Sequence, residues 1–371
     1  QALPQGTRTQ AGSARRRLTV AGERRQMALH RRRKHLPASL AKLLALFRRP
    51  ASKKRPRSRW VSGIAAAAAG RLDTRPAVPP QRRFLLFTPP NFTLREHLPL
   101  VVMLHGCTQS AKEFAAGTRF NELARRHRFL VLYPEQNRTA NPVRCWNWFD
   151  PACQRGRGEV AIVMAMVEKI ARLYPVDANR IYVAGLSAGG ALAGLLARFH
   201  GATFAAAAIH SGLAPGAADS MFAAARAMRG AAPLVVDAQV FAVTAASGES
   251  PPPVMVIHGD ADRVVVARNG AQIVGFMLGA HAAPSGEGDE PGELPSHRSQ
   301  SREVAASASA REHVVTDHYI DERLVIRDVR IRGLGHAWSG GDERHAYHDA
   351  RGPKATNMIW GFFAALVRPA R

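Results

Sequence analysis

The chain has 371 residues, of which 46% are hydrophobic, enough for one large core or two ordinary ones. No run of about eighteen uninterrupted apolar residues occurs, which argues against a membrane-spanning helix and predicts a soluble protein. A net charge of +24 would suit a nucleic-acid binder if it were spread over the chain, but it is concentrated at one end.

Residues 1–60 hold 18 Lys+Arg and a single acid, Glu23, for a net +17, whereas the remainder carries only +7. Blocks such as Arg31-Arg32-Arg33-Lys34 and Lys53-Lys54-Arg55 repel themselves and stay solvated. Residues 1–80 therefore read as a disordered basic arm, closing on the stiff linker Ala77-Val78-Pro79-Pro80. The charge gives this arm an attraction for anionic surfaces. Phe47 and Trp60 are its only aromatics, too few for base stacking, so no specific nucleic-acid partner is expected. Residues 1–26 read as an extension upstream of Met27. Lys42 breaks the apolar stretch at 36–47 that a secretory signal would need, and no signal peptide is assigned.

From Arg82 the texture changes. Residues 84–88 read as a strand, 98–104 as a buried strand ending at His105-Gly106, 114–127 as a helix and 129–133 as another buried strand. Residues 159–174 have a helical period, with Val160, Val163, Met164, Val167 and Ile170 on one face. A strand at 180–184 runs straight into Gly185-Leu186-Ser187-Ala188-Gly189 and a small-residue helix to about residue 200. Buried strands follow at 204–210 and 253–258. Residues 279–313, rich in Ser, Ala, Glu, Pro and Gly, read as a flexible surface insertion. Strands at 314–320 and 324–331, adjacent or in a hairpin, precede a final helix at 354–366. The alternation predicts an α/β domain over residues 81–371, a mostly parallel sheet with helices on both faces.

Gly185-x-Ser187-x-Gly189 between a strand and a helix is informative for steric reasons. A sharp turn lifts the serine oxygen above the sheet's carboxyl edge and leaves no room for side chains two residues either side. A serine hydroxyl is a poor nucleophile, so it needs a base, and the base needs an orienting acid. Residues 254–262 supply a strand followed by Asp260 and Asp262, and 329–336 supply a strand, a glycine turn and His336, in the order Ser, acid, His. The residues alone leave Asp260 and Asp262 open, one of them being an Asx turn, and leave His258, His345 and His348 as rivals to His336. The oxyanion of a tetrahedral intermediate needs two N–H donors: Ala188, which follows the serine, gives one, and the loop at His105-Gly106-Cys107-Thr108 the other. The three cysteines, Cys107, Cys145 and Cys153, have no metal-type spacing, and this chemistry needs no metal or organic cofactor.

Five blocks in order resemble the poly(3-hydroxybutyrate) depolymerase-type esterases, α/β-hydrolases related to feruloyl and acetylxylan esterases. They are Leu104-His105-Gly106-Cys107-Thr108-Gln109, Cys145-Trp146-Asn147-Trp148-Phe149, the stretch from Arg180 to Gly190, His258-Gly259-x-x-Asp262-x-x-Val265, and Gly333-Leu334-Gly335-His336-Ala337-Trp338-Ser339-Gly340-Gly341. The resemblance implies an α/β-hydrolase fold and a triad of Ser187, Asp262 and His336. It also implies Cys107 as the second oxyanion donor and a Cys107–Cys145 disulfide, leaving Cys153 as an incidental thiol. Trp146 and Trp148 are implied near the acyl pocket, with core packing the competing reading for both. The implied substrates are hydroxyalkanoate polyester, its oligomers or short-chain esters; feruloyl or acetylxylan ester cleavage on plant polysaccharide is the alternative. A non-catalytic binding protein working through the basic arm is the reading from outside the enzymes. The resemblance further implies an extracellular or periplasmic location, with the cytoplasm as the alternative.

Overall fold

The computed structural model describes residues 58–71, 80–231, 251–282 and 296–368. The expectations for residues 1–57 and 72–79 of the basic arm, the stiff linker at 77–79 included, and for 283–295 of the insertion lie outside the described residues. Contacts divide the chain into units 1–55 and 56–371, and the described residues all belong to the second.

Ten strands form one sheet: β1 (Arg59–Ala66), β2 (Gln81–Thr88), β3 (Leu98–Leu104), β4 (Leu130–Glu135), β5 (Val176–Leu186), β6 (Ala206–His210), β7 (Val254–Gly259), β8 (His297–Val304), β9 (His313–Ile320) and β10 (Arg323–Ile331). Their order is β1-β2-β4-β3-β5-β6-β7-β10-β9-β8. From β4 to β10 every neighbour is parallel, and antiparallel strands flank that centre on both sides. Strand β3 reads Leu-Pro-Leu-Val-Val-Met-Leu and is buried throughout, as a central parallel strand covered on both faces must be. Its alternate residues divide between two cores. Leu100, Val102 and Leu104 pack on one side with helices α3 (Glu159–Leu173), α4 (Ala188–Phe199) and α6 (Arg268–Ala282). Val101 and Met103 pack on the other with α1 (Ala111–Thr118), α2 (Phe120–His127) and α7 (Ala355–Ala364). A further helix, α5, spans Met221–Met228, and two short strands, β11 (Trp338–Ser339) and β12 (His348–Asp349), pair apart from the main sheet. No helix of the described residues is long and apolar enough to cross a membrane.

Three expectations need correction. The arm does not extend to residue 80, because Arg59–Ala66 is a strand in full antiparallel register with β2, Arg59 opposite Thr88. Being an outer strand it is mostly exposed and carries little apolar alternation to reveal it. The insertion is likewise part ordered: α6 runs to Ala282, and His297–Val304 forms strand β8. Every residue of β8 is exposed, so backbone pairing to β9 and cross-strand pairs such as Ser301 with Thr316, at 2.8 Å, hold it in place of core burial. Finally, the helix expected over 114–127 is two. A capping box of Ser110 and Glu113 starts α1, and Arg119 at φ 55° breaks the run before α2. Its guanidinium lies 3.1 Å from Asp342. The strands at 314–320 and 324–331 do form an antiparallel hairpin.

Candidate active site

The site is built at the carboxyl ends of β3, β5 and β7 and on the loop after β10. Strand β5 enters α4 through Ser187, whose backbone sits at φ 57° and ψ −120°, a conformation a non-glycine residue holds only under constraint. The flanking glycines are obligatory: a Cβ on Gly185 would lie 2.2 Å from the carbonyl oxygen of Gly189, and one on Gly189 would lie 2.3 Å from that of Leu104. So tight a turn leaves the Ser187 hydroxyl without a capping role, free to face the loops beyond the sheet.

His336 lies on the loop after β10, and its Nε2 is 2.9 Å from Ser187 Oγ. Its Nδ1 is 2.7 Å from Asp262 Oδ2, on the loop after β7. A carboxylate can only accept, so Nδ1 carries the proton and Nε2 is left to accept from the serine hydroxyl. The other Asp262 oxygen accepts from the amides of Val264 and Val265, both at 2.9 Å, which fixes the carboxylate plane. Burial pushes the Asp262 carboxyl up, but the hydrogen bond and charge of His336, helped by the Val265 amide, carry it below the ordinary aspartate value.

The competing residues fall into other roles. Asp260 accepts from the Gly333 amide at 2.6 Å, latching the acid-bearing loop to the imidazole-bearing one. His258 is fully buried, and its Nε2–H donates to the Val265 carbonyl at 2.8 Å, 3.7 Å from Asp262. His348 Nδ1–H donates to Ala346 and its ring packs over Gly117. His345 belongs to the same loop, its ring 6.3 Å from that of His348.

Cys107 and Cys145 form a disulfide, and Cys153 is buried as a free thiol whose pKa burial pushes upward. The amides on either side of Cys107 are engaged: Gly106 donates to Gln109 Oε1 at 2.9 Å and Thr108 to Val143 at 2.6 Å. Those of Cys107 and Ala188 donate to no acceptor among the described residues. Trp146 and Trp148, expected near the acyl pocket, are buried in the core cluster shared by α3 and α4. The indole of Trp146 lies tilted against the His105 ring, centroids 5.4 Å apart.

Sequence reasoning missed the support beneath the loops. Buried Glu159 accepts from Arg82 Nη2 at 3.0 Å, from Asn147 Nδ2 at 3.1 Å and, through its other oxygen, from the Asn147 amide at 2.7 Å. Gln136 joins this group to the Cys145 carbonyl at 3.0 Å, and its amide donates to His105 Nε2 at 3.1 Å. The only signal was a charged residue in an otherwise apolar strand or helix face. Gln109 was quoted within a block but not singled out; its buried amide also donates to the Ala346 carbonyl, 237 residues away, at 2.9 Å.

Burial holds the imidazoles of His105 and His258 down at about 4 and that of His210 at about 3. Their folded values lie below the free value of 6.5, so the unfolded chain takes up protons first as the pH falls. Stability is therefore complete above that value and lost toward about pH 4, by up to about 1.4 kcal/mol per imidazole per pH unit. Denaturant midpoints measured between about pH 7.5 and about pH 4.5 should fall with this slope, and a flat profile would contradict it.

The strand order, with a parallel centre and a serine turn after β5, is that of an α/β-hydrolase. The acetyl xylan esterase from Aspergillus awamori superposes on this chain with a TM-score of 0.56 at 16% identity, covering 83% of this chain and 99% of its own, a likeness of fold. Within that fold the chain belongs to the family described as Esterase PHB depolymerase, whose profile matches residues 83–284, more than half of the sequence. Poly(3-hydroxyalkanoate) depolymerase C of Paucimonas lemoignei is 40% identical over 111 residues, 30% of this chain and 27% of that protein. Feruloyl esterase B of Neurospora crassa is 36% identical over 117 residues, 31% of this chain and 39% of its own length. The chain thus spans well under half the length of the curated relatives it matches.

Proposed function

We propose that this protein is a serine esterase that cleaves carboxylic ester bonds through an acyl-enzyme on Ser187. The observation that carries the reading is the unbroken relay of hydrogen bonds from Ser187 through His336 to Asp262, at 2.9 and 2.7 Å. Ser187 Oγ attacks the ester carbonyl as His336 Nε2 takes its proton, and the Asp262 carboxylate stabilises the imidazolium that forms. The carbonyl oxygen gains the negative charge and is met by the amides of Ala188 and Cys107. The intermediate collapses with loss of the alkoxide, which leaves as alcohol with the proton from His336. Water then repeats the sequence on the acyl-enzyme, with His336 again as base, and releases the acid. No step calls for a metal or an organic cofactor.

For the substrate we take hydroxyalkanoate polyester, its oligomers or short-chain esters, a reading supported by family membership and by the depolymerase named among the relatives. Feruloyl and acetylxylan esterases also stand among those relatives, so the acyl group is the point to test. A fluorophosphonate probe should label Ser187 in the wild-type protein, and hydroxybutyrate oligomers should turn over faster than methyl ferulate. Absence of labelling would end the esterase reading, whereas preference for the ferulate would move only the substrate.

A further inference from the structure

Tyr347 stands beside the candidate triad with no part in the chemistry above. Its ring is 6.1 Å from that of His336 and nearly perpendicular to it, at 79°, yet the residue is 41% exposed. An aromatic side chain two-fifths exposed beside a buried imidazole keeps apolar surface that a bound group can cover. Its backbone adopts φ 61°, which a bulky residue holds only when its surroundings impose it.

Those surroundings are explicit. The Tyr347 carbonyl accepts from the Trp338 amide at 2.8 Å, and the carbonyl before it, on Ala346, accepts from Gln109 Nε2 and His348 Nδ1, both at 2.9 Å. At its other end Gln109 accepts from the Gly106 amide, one residue from the Cys107 donor. The same buried amide thus ties the oxyanion loop to the loop that carries Tyr347, and the ring is preset relative to both.

We infer that Tyr347 forms the wall of the leaving-alcohol subsite and sets the preference for the alcohol half of the ester, an inference that rests on the Ser187 reading. The direction follows from the chemistry. In the tetrahedral intermediate the departing oxygen must reach His336 Nε2 to receive its proton, so the alcohol's substituent leaves past the imidazole. The oxyanion points instead at the amides of Cys107 and Ala188. The assignment puts the exposed Tyr347 ring on the side past which the alcohol substituent leaves, where it would offer that substituent an apolar surface.

Two isomeric esters separate the sides. Benzyl acetate carries its phenyl ring on the alcohol, and methyl phenylacetate carries the same ring on the acyl group. Tyr347→Asn removes the aromatic ring while keeping a residue that tolerates positive φ. Relative to wild type, kcat/KM for benzyl acetate should fall about tenfold, while methyl phenylacetate and methyl acetate change by less than about twofold. Tyr347→Phe should keep the wild-type ratio, since the ring and not the hydroxyl makes the contact. Equal losses on both isomers, or a loss confined to methyl phenylacetate, would overturn the assignment while leaving the esterase reading intact. Wild-type protein that cleaves none of the three esters and takes no fluorophosphonate would remove both.

Discussion

Ser187→Ala is expected to lower kcat on p-nitrophenyl butyrate on the order of 10⁶-fold without lowering the melting temperature. The two halves of that expectation have separate grounds. The Ser187 hydroxyl makes no capping bond to α4, so alanine gives up only the contact to His336 and the strained turn stays in place. Activity falls because the oxygen that attacks in the proposed mechanism is gone. Asp262→Asn should cost about 10⁴-fold, since an amide in that place can hold the imidazole in the wrong tautomer. Retention of a tenth of wild-type activity by either variant, with the fold intact, would remove that residue from the mechanism.

The second large effect concerns stability. Glu159→Leu removes the carboxylate 3.0 Å from the fully buried guanidinium of Arg82 and the acceptor of the Asn147 amide. Breaking a buried pair on one side costs about 3–5 kcal/mol, because the remaining charge has no water to turn to. Urea denaturation should register that loss, and the double variant Arg82→Met with Glu159→Leu should recover much of it. A single-variant loss below about 1 kcal/mol would mean that the pair is not held as the distances indicate. The same variant should lower kcat, because Gln136 passes the order of this group to Cys145 and to His105.

The parallel centre was legible because strands such as Leu98–Leu104 and Val254–Gly259 are apolar runs buried on both faces. The outer strands were not. Arg59–Ala66, mostly exposed, and His297–Val304, exposed throughout, rely on backbone pairing, so their composition carries little strand signal. The burial of Trp146 and Trp148 was not legible either: the family resemblance implied a place near the acyl pocket, and sequence spacing alone gave no measure of how far the indoles are covered. Among the candidate site residues, only the serine turn stood out from its own strand–helix context. The residues alone left His336 beside His258, His345 and His348, and Asp262 beside Asp260, and the family resemblance made the choice; in the fold Asp260 accepts from the Gly333 amide instead. Gln109 and Tyr347 escaped because a contact across 237 residues leaves no periodic trace in either segment.

The bond between Cys107 and Cys145 closes a span of 38 residues around the loop that holds the proposed oxyanion donor. Covalent closure of that size removes about 4 kcal/mol of disorder from the unfolded chain in the loop-entropy picture. Because the cross-link acts on the unfolded chain, it holds the two ends of that span together whether or not the loop between them is otherwise tightly packed.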